Sequence, residues 1–139
     1  MTPTAAYALF YNNSATGATY AAGENIAYQS TLYNTATADI VNNNGLITLS
    51  GGTTGKAYLV NYQVTGETAN DATLALAING TVDSNSEIIP NSATGTSNGS
   101  YIVNVPANST STVALRVVSG TVTTASPTVG SYFSVIRIA

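Results

Sequence analysis

The chain has 139 residues, 44% of them hydrophobic and only 6% charged, with a formal net charge of −3 and no cysteine, histidine or tryptophan. An average soluble domain is about 25% charged, yet nine tyrosines and the apolar content set this chain apart from disordered sequences, which are poor in both. Three basic residues cannot neutralise a run of phosphates, so a nucleic-acid partner is excluded, as is an anionic membrane surface.

The length fits one domain, read as residues 7–139 behind a flexible N-terminal segment, 1–6. The opening Met1-Thr2-Pro3-Thr4 has neither a basic nor an apolar region and is not expected to be a signal peptide. No stretch reaches the ~18 apolar residues of a membrane span. The absence of cysteine removes disulfides and thiolate metal sites. A surface of Thr, Ser, Asn, Gly and Gln is polar, uncharged and insensitive to pH.

In chain order, strands are predicted at Tyr7 to Tyr11, Asn25 to Leu32, Ile40 to Val41 and Leu46 to Leu49. Lys56 to Thr65 is the longest. Thr73 to Ile78 alternates Leu74, Leu76 and Ile78 against Ala75, Ala77 and Asn79, a period of two. A short piece at Glu87 to Ile89 precedes Tyr101 to Val105, Thr112 to Ser119 and Tyr132 to Ile138. Turn-forming clusters separate them: Asn42-Asn43-Asn44-Gly45, Ser50-Gly51-Gly52, Asn79-Gly80, Asn98-Gly99 and Pro106-Ala107-Asn108. Many short strands with regular turns indicate an all-β sandwich or jelly roll.

Some strands alternate cleanly. In Thr112 to Ser119, Val113, Leu115 and Val117 oppose Thr112, Ala114 and Arg116. Others are apolar on both faces: Tyr132 to Ile138 carries Tyr132, Ile136 and Ile138 on one side and Phe133 and Val135 on the other. A sheet apolar on both sides must be covered on both sides. With no helix to do it, another copy of the same chain is the simplest cover.

The closing run Ser131-Tyr132-Phe133-Ser134-Val135-Ile136-Arg137-Ile138 resembles the last strand of the tumour necrosis factor and complement globular-head superfamily. Ala57-Tyr58-Leu59-Val60-Asn61-Tyr62-Gln63-Val64 resembles its central strand. The low charge, the Thr/Ala/Asn/Gly richness and the order of Gly23-Glu24-Asn25-Ile26, Leu46-Ile47-Thr48-Leu49, Gly55-Lys56-Ala57-Tyr58 and Leu76-Ala77-Ile78-Asn79-Gly80-Thr81 are similar to the C-terminal heads of BclA-like, collagen-like glycoproteins of the bacterial spore exosporium. The likeness runs from about Tyr7 onward. It implies a ten-stranded jelly roll, a compact homotrimer, and a structural role as the knob of an extracellular spore or surface filament. The Gly-X-Y stalk of those proteins is not in this sequence; residues 1–6 stand where such a stalk would end.

The resemblance implies a trimer axis lined by the final and central strands. The expected interface is therefore Leu59, Asn61, Tyr132, Ile136 and Ile138, with Tyr101 joining them. The expected sandwich core is Tyr58, Val60, Tyr62, Val64, Leu74, Leu76, Ile78, Val113, Leu115, Val117, Phe133 and Val135, with Arg137 reaching out near the strand end.

Without His or Cys the common nucleophile–base pairs cannot be built. The carboxylate pairs nearest in sequence, Glu67 with Asp71 and Asp83 with Glu87, sit among turn residues and read as solvated loops. No catalytic residue and no cofactor are expected. Some members of the superfamily carry calcium, but the acidic residues here are dispersed, and Asn70, Asp71 and Asp83 could meet only through folding. No metal site is expected. Tyr7, Tyr58, Tyr62, Tyr101 and Tyr132 read as core or interface. Tyr20, Tyr28 and Tyr33 are the better candidates for surface recognition of a glycan or host surface, the rival role for this chain. The Asn-X-Ser/Thr triplets at Asn12, Asn79, Asn98 and Asn108 read as turns.

Overall fold

The computed structural model describes residues 6–13, 18–89, 95–124 and 131–139, with backbone alone at 66–71 and 95. Among them the strands are β1 (Tyr7–Tyr11), β2 (Thr19–Ala21), β3 (Ser30–Asn34), β4 (Ile40–Asn43), β5 (Leu46–Ser50), β6 (Lys56–Ile78), β7 (Thr81–Val82), β8 (Gly95–Val105), β9 (Thr110–Thr124) and β10 (Tyr132–Arg137), with one 3-10 turn at Ser84–Ser86. Every pairing between these strands is antiparallel. No helix among the described residues is long and apolar enough to cross a membrane.

β6 organises the molecule. Its first half lies between β10 and β8, extending a sheet ordered β3-β1-β10-β6-β8. Its second half pairs with β9, which carries β5 and then β4, and β2 further along. One strand thus belongs to both layers of a jelly roll. The expectation of two strands, Lys56–Thr65 and Thr73–Ile78, is corrected here. The polar stretch between them has no apolar period, but its backbone continues the ladder, with Ala69 opposite Val122 and Asn70 opposite Thr121. Register shifts flank it, at Gly66/Thr68 and Asn70/Thr73, and irregularities of this kind let a strand bend from one sheet into another.

The inner faces share one core. From the first sheet come Phe10, Tyr58, Val60, Tyr62, Val64, Phe133 and Val135; from the second come Leu74, Leu76, Val113, Leu115 and Val117, all buried. Ile78 is half-buried against them beside the β6–β7 turn. Burying one such side chain stabilises by about 1.5–3 kcal/mol. Three core tyrosines satisfy their hydroxyls on backbone carbonyls: Tyr28 on Gln63 (2.9 Å), Tyr58 on Ser50 (2.6 Å) and Tyr62 on Ser86 (2.7 Å).

The segment read as a strand over Asn25–Leu32 is instead a crossing that becomes a strand only at Ser30. Near its start it follows β9, with Asn25 opposite Arg116 and the Ile26 amide on the Leu115 carbonyl (2.8 Å). It then passes to the first sheet as β3. Ile26 and Tyr28 are fully buried on the way, and Tyr28 meets Phe133 edge-on at 5.6 Å. The Glu87–Ile89 piece reduces to a single bridge between Ile88 and Leu74.

Asn44-Gly45 and Asn79-Gly80 form the expected turns, with φ of 51° and 97°, and 53° and 83°. Gly45 is also tightly enclosed, since a Cβ there would stand 2.3 Å from the Ile26 carbonyl oxygen. Asn98-Gly99 is not a turn: both residues lie within β8, opposite Gln63 and Tyr62. Asn12, too, is not a turn residue on the surface. It is buried, and its Nδ2 donates to the Ala27 carbonyl (2.7 Å) and to the Tyr20 hydroxyl (3.2 Å).

On the second sheet Ala75, Ala77 and Ala114 are buried although they oppose the core side chains in the alternation. They are small enough to be covered by their neighbours. Arg116 stands opposite Ala75 and spans the surface between Asn25 Oδ1 (3.0 Å) and the Gly80 carbonyl (3.2 Å).

Candidate assembly interface

Directly opposed residues of antiparallel strands share a face, so the registers of β1, β10, β6 and β8 define the outer surface of the first sheet. They give three rows. Tyr7, Ile136, Leu59 and Ile102 form an apolar row. Leu9, Ser134, Asn61 and Ser100 form the second. Tyr11, Tyr132, Gln63 and Asn98 form the third. Tyr33 of β3 closes one side, its ring edge-on to Tyr7 at 5.5 Å.

The apolar row is unusually wet for its chemistry: Tyr7 is 40%, Ile136 43% and Ile102 52% exposed. Ile138, just beyond β10, is exposed as well. Across the polar rows lies a shallow depression of about 290 Å³ over Asn61, Gln63, Asn98, Ser100, Tyr132 and Ser134.

None of the charged side chains described in the structure sits on this face. Lys56 and Arg137 both reach Asp39 Oδ2, at 2.9 and 3.4 Å, at the end of the sheet. Arg116 lies on the second sheet. Asp83 follows β7, where its Oδ1 accepts from the Asn85 amide (2.9 Å) and its Oδ2 accepts from the Tyr101 hydroxyl. The Tyr101 bond, ahead of the Asn85 one, holds the Asp83 carboxyl below its ordinary value and raises the phenol.

Of the residues expected at the interface, Leu59, Asn61, Tyr132 and Ile136 share this face. Tyr101 is corrected. It stands opposite Val60, on the inner face, packs against the core and bonds to Asp83. The outward residues of β8 are Ser100 and Ile102. Ile102 went unnamed in the sequence, although its alternation with the buried Val103 and Val105 points to it. The surface-recognition candidates divide: Tyr28 and Tyr20 are buried, and only Tyr33 is exposed. Their irregular flanks hid a crossing segment that plugs the sandwich.

Glu87 is exposed, and Asp83 is tied into its turn by the Asn85 amide and the Tyr101 hydroxyl. The side chains of Glu67, Asn70 and Asp71 lie outside those described. Among the described residues no three acidic groups gather to hold a metal ion.

No family model and no curated protein matches this sequence. Solved structures do. The Eiger TNF from S. frugiperda is 12% identical with a TM-score of 0.69, covering 99% of this chain and 94% of that one. The globular domain of zebrafish complement 1qA protein is 11% identical with a TM-score of 0.65, covering 97% and 98%. PRD1 vertex protein P5 is 10% identical with a TM-score of 0.60, covering 99% and 100%. At these identities the likeness speaks for architecture: the chain has the jelly-roll fold of tumour necrosis factor and the complement globular head.

Proposed function

We propose that this chain is a structural, non-catalytic head module that assembles through the outer face of its first sheet into a homotrimer, as the knob of an extracellular surface or spore-exosporium filament. The observation that carries this reading is an uncharged outer face with an exposed apolar row. Symmetric assembly brings identical residues near one another. A charged face would repel its own copies there, and among the described residues this one carries no charge. Its exposed Tyr7, Ile136 and Ile102 are large apolar side chains of the kind that mark interaction sites. The threefold order and the filament role draw on the sequence resemblance to exosporium heads and on the shared fold. Light scattering at micromolar concentration tests the assembly and should return three times the 14.1 kDa chain mass. A clean monomer would overturn it. Immunogold labelling of sectioned spores tests the location, and label confined to the interior would exclude it.

A second reading, a glycan- or receptor-binding tip, is favoured by the depression beside Tyr132, lined by neutral amides and hydroxyls, and by the likeness to a vertex protein. Screening on a glycan array separates the two, because a purely structural head gives no reproducible binding.

A further inference from the structure

Asn61 sits at the centre of the uncharged face, one row from Leu59, Ile136 and Ile102. The Ser100 hydroxyl donates to its Oδ1 at 2.8 Å. A carboxamide offers two further donors on Nδ2, and among the described residues the chain supplies no acceptor for them. In the free chain Asn61 is half-buried, and these donors are open to solvent. In the assembly proposed above, on which this inference rests, the water is displaced, and donors left without acceptors are costly.

The apolar row by itself specifies little. Aliphatic surfaces slide past one another with small changes in energy, and a purely apolar interface tolerates several registers and copy numbers. One polar residue within such a surface selects the arrangement that satisfies it, at some cost in stability. Displacing a neighbouring copy by one row so that its apolar row faces Asn61 would set the Asn61 donors against Leu59 or Ile136. Keeping the row aligned offers them the oxygens of Ser134, Ser100 or Asn61 itself on the neighbour.

We propose that Asn61, oriented by Ser100, fixes the register and copy number of the homotrimer by donating from Nδ2 to an oxygen in the polar rows of the neighbouring copy. The test uses the full chain with Asn61→Leu, Asn61→Ala, Ser100→Ala and, as the control on the second sheet, Thr112→Asp. Native mass spectrometry and sedimentation velocity are run from nanomolar to tens of micromolar protein. Wild type and Thr112→Asp should each give one trimeric species. Asn61→Leu should spread over two or more oligomeric states with a melting temperature no lower than wild type. Asn61→Ala, which adds no apolar bulk, should lose the single species too, and Ser100→Ala should show a smaller spread. A wild-type trimer whose Asn61→Leu and Asn61→Ala forms are equally clean trimers overturns the role of Asn61 alone. A monomeric wild type overturns the assembly itself.

Discussion

The ring of Tyr62 lies over the α-carbon of Gly99, so that a Cβ at position 99 would stand 2.7 Å from its Cε2, Cζ and hydroxyl oxygen. The ring cannot readily yield, because it is buried and its hydroxyl is held by the Ser86 carbonyl. Gly99→Ala should therefore destabilise the fold by about 1–3 kcal/mol, as overpacking does. Calorimetry would show the lowered melting temperature. With Tyr62→Leu already in place, the same Gly99→Ala change should cost less, which a mere loss of glycine flexibility would not allow.

Ile136→Asp would place one carboxylate per copy in the apolar row. Burying an unpaired charge costs several kcal/mol, so the expected product is monomer, or no folded protein. Thr112→Asp lies on the second sheet, opposite Thr48, and should leave the assembly intact. Size-exclusion chromatography with light scattering compares them. An Ile136→Asp trimer as stable as wild type would move the interface to another surface.

Burial raises the phenols of Tyr28, Tyr58 and Tyr62 above the ordinary value of 10.0, and the bond to Asp83 raises Tyr101. A raised pKa means that the folded state holds the proton more tightly, so the stabilisation is complete below pH 10 and is lost as the pH climbs beyond it. The lowered pKa of Asp83 works at the opposite end: its contribution is present above the ordinary carboxyl value of 3.8 and fades as the pH falls below that value. Melting temperature should be nearly flat through the middle range and drop on the alkaline side. Tyr28→Phe should soften that drop, while losing about 1 kcal/mol at neutral pH with the bond to Gln63.

Asp39 joins two cations at one carboxylate oxygen. Asp39→Asn would leave Lys56 and Arg137 as neighbouring like charges. All three side chains keep roughly a fifth to a quarter of their exposure, so solvent screening holds the loss to about 1 kcal/mol. Thermal melts at low and at molar salt should converge, because screening shortens the reach of the repulsion to about 3 Å. A loss that persists unchanged in high salt would mean that Asp39 acts through hydrogen bonding alone.

How legible this was in the sequence varies by residue. Tyr58, Val60, Tyr62 and Val64 alternate so regularly that period two places them on one face. The outward positions of β10 follow from the same rule. Tyr101 misled because an aromatic residue beginning a short apolar run, YIVNV, looks like an outward anchor; the strand in fact begins at Gly95, and the pairing with Val60 fixes Tyr101 inside. Polar stretches hid ladders, as in β6 between Gly66 and Ala72, because backbone hydrogen bonds leave no mark on side-chain hydropathy. The burial of Tyr20 and Tyr28 leaves no sequence signal for a related reason. A crossing segment has no period, and only the sandwich around it shows that its aromatics are enclosed.

The passage of β6 through both layers has a kinetic and mechanical consequence. With 23 residues running from β10 and β8 at one end to β9 at the other, the strand splices the layers together covalently. Neither layer can fray through to its centre while the other remains intact. Amide hydrogen exchange at Val60 and Leu76 should accordingly report one shared opening free energy, and thermal unfolding should pass through a single cooperative transition. Because β6 meets partners distant in sequence at both ends, refolding should be slow for a chain of this size.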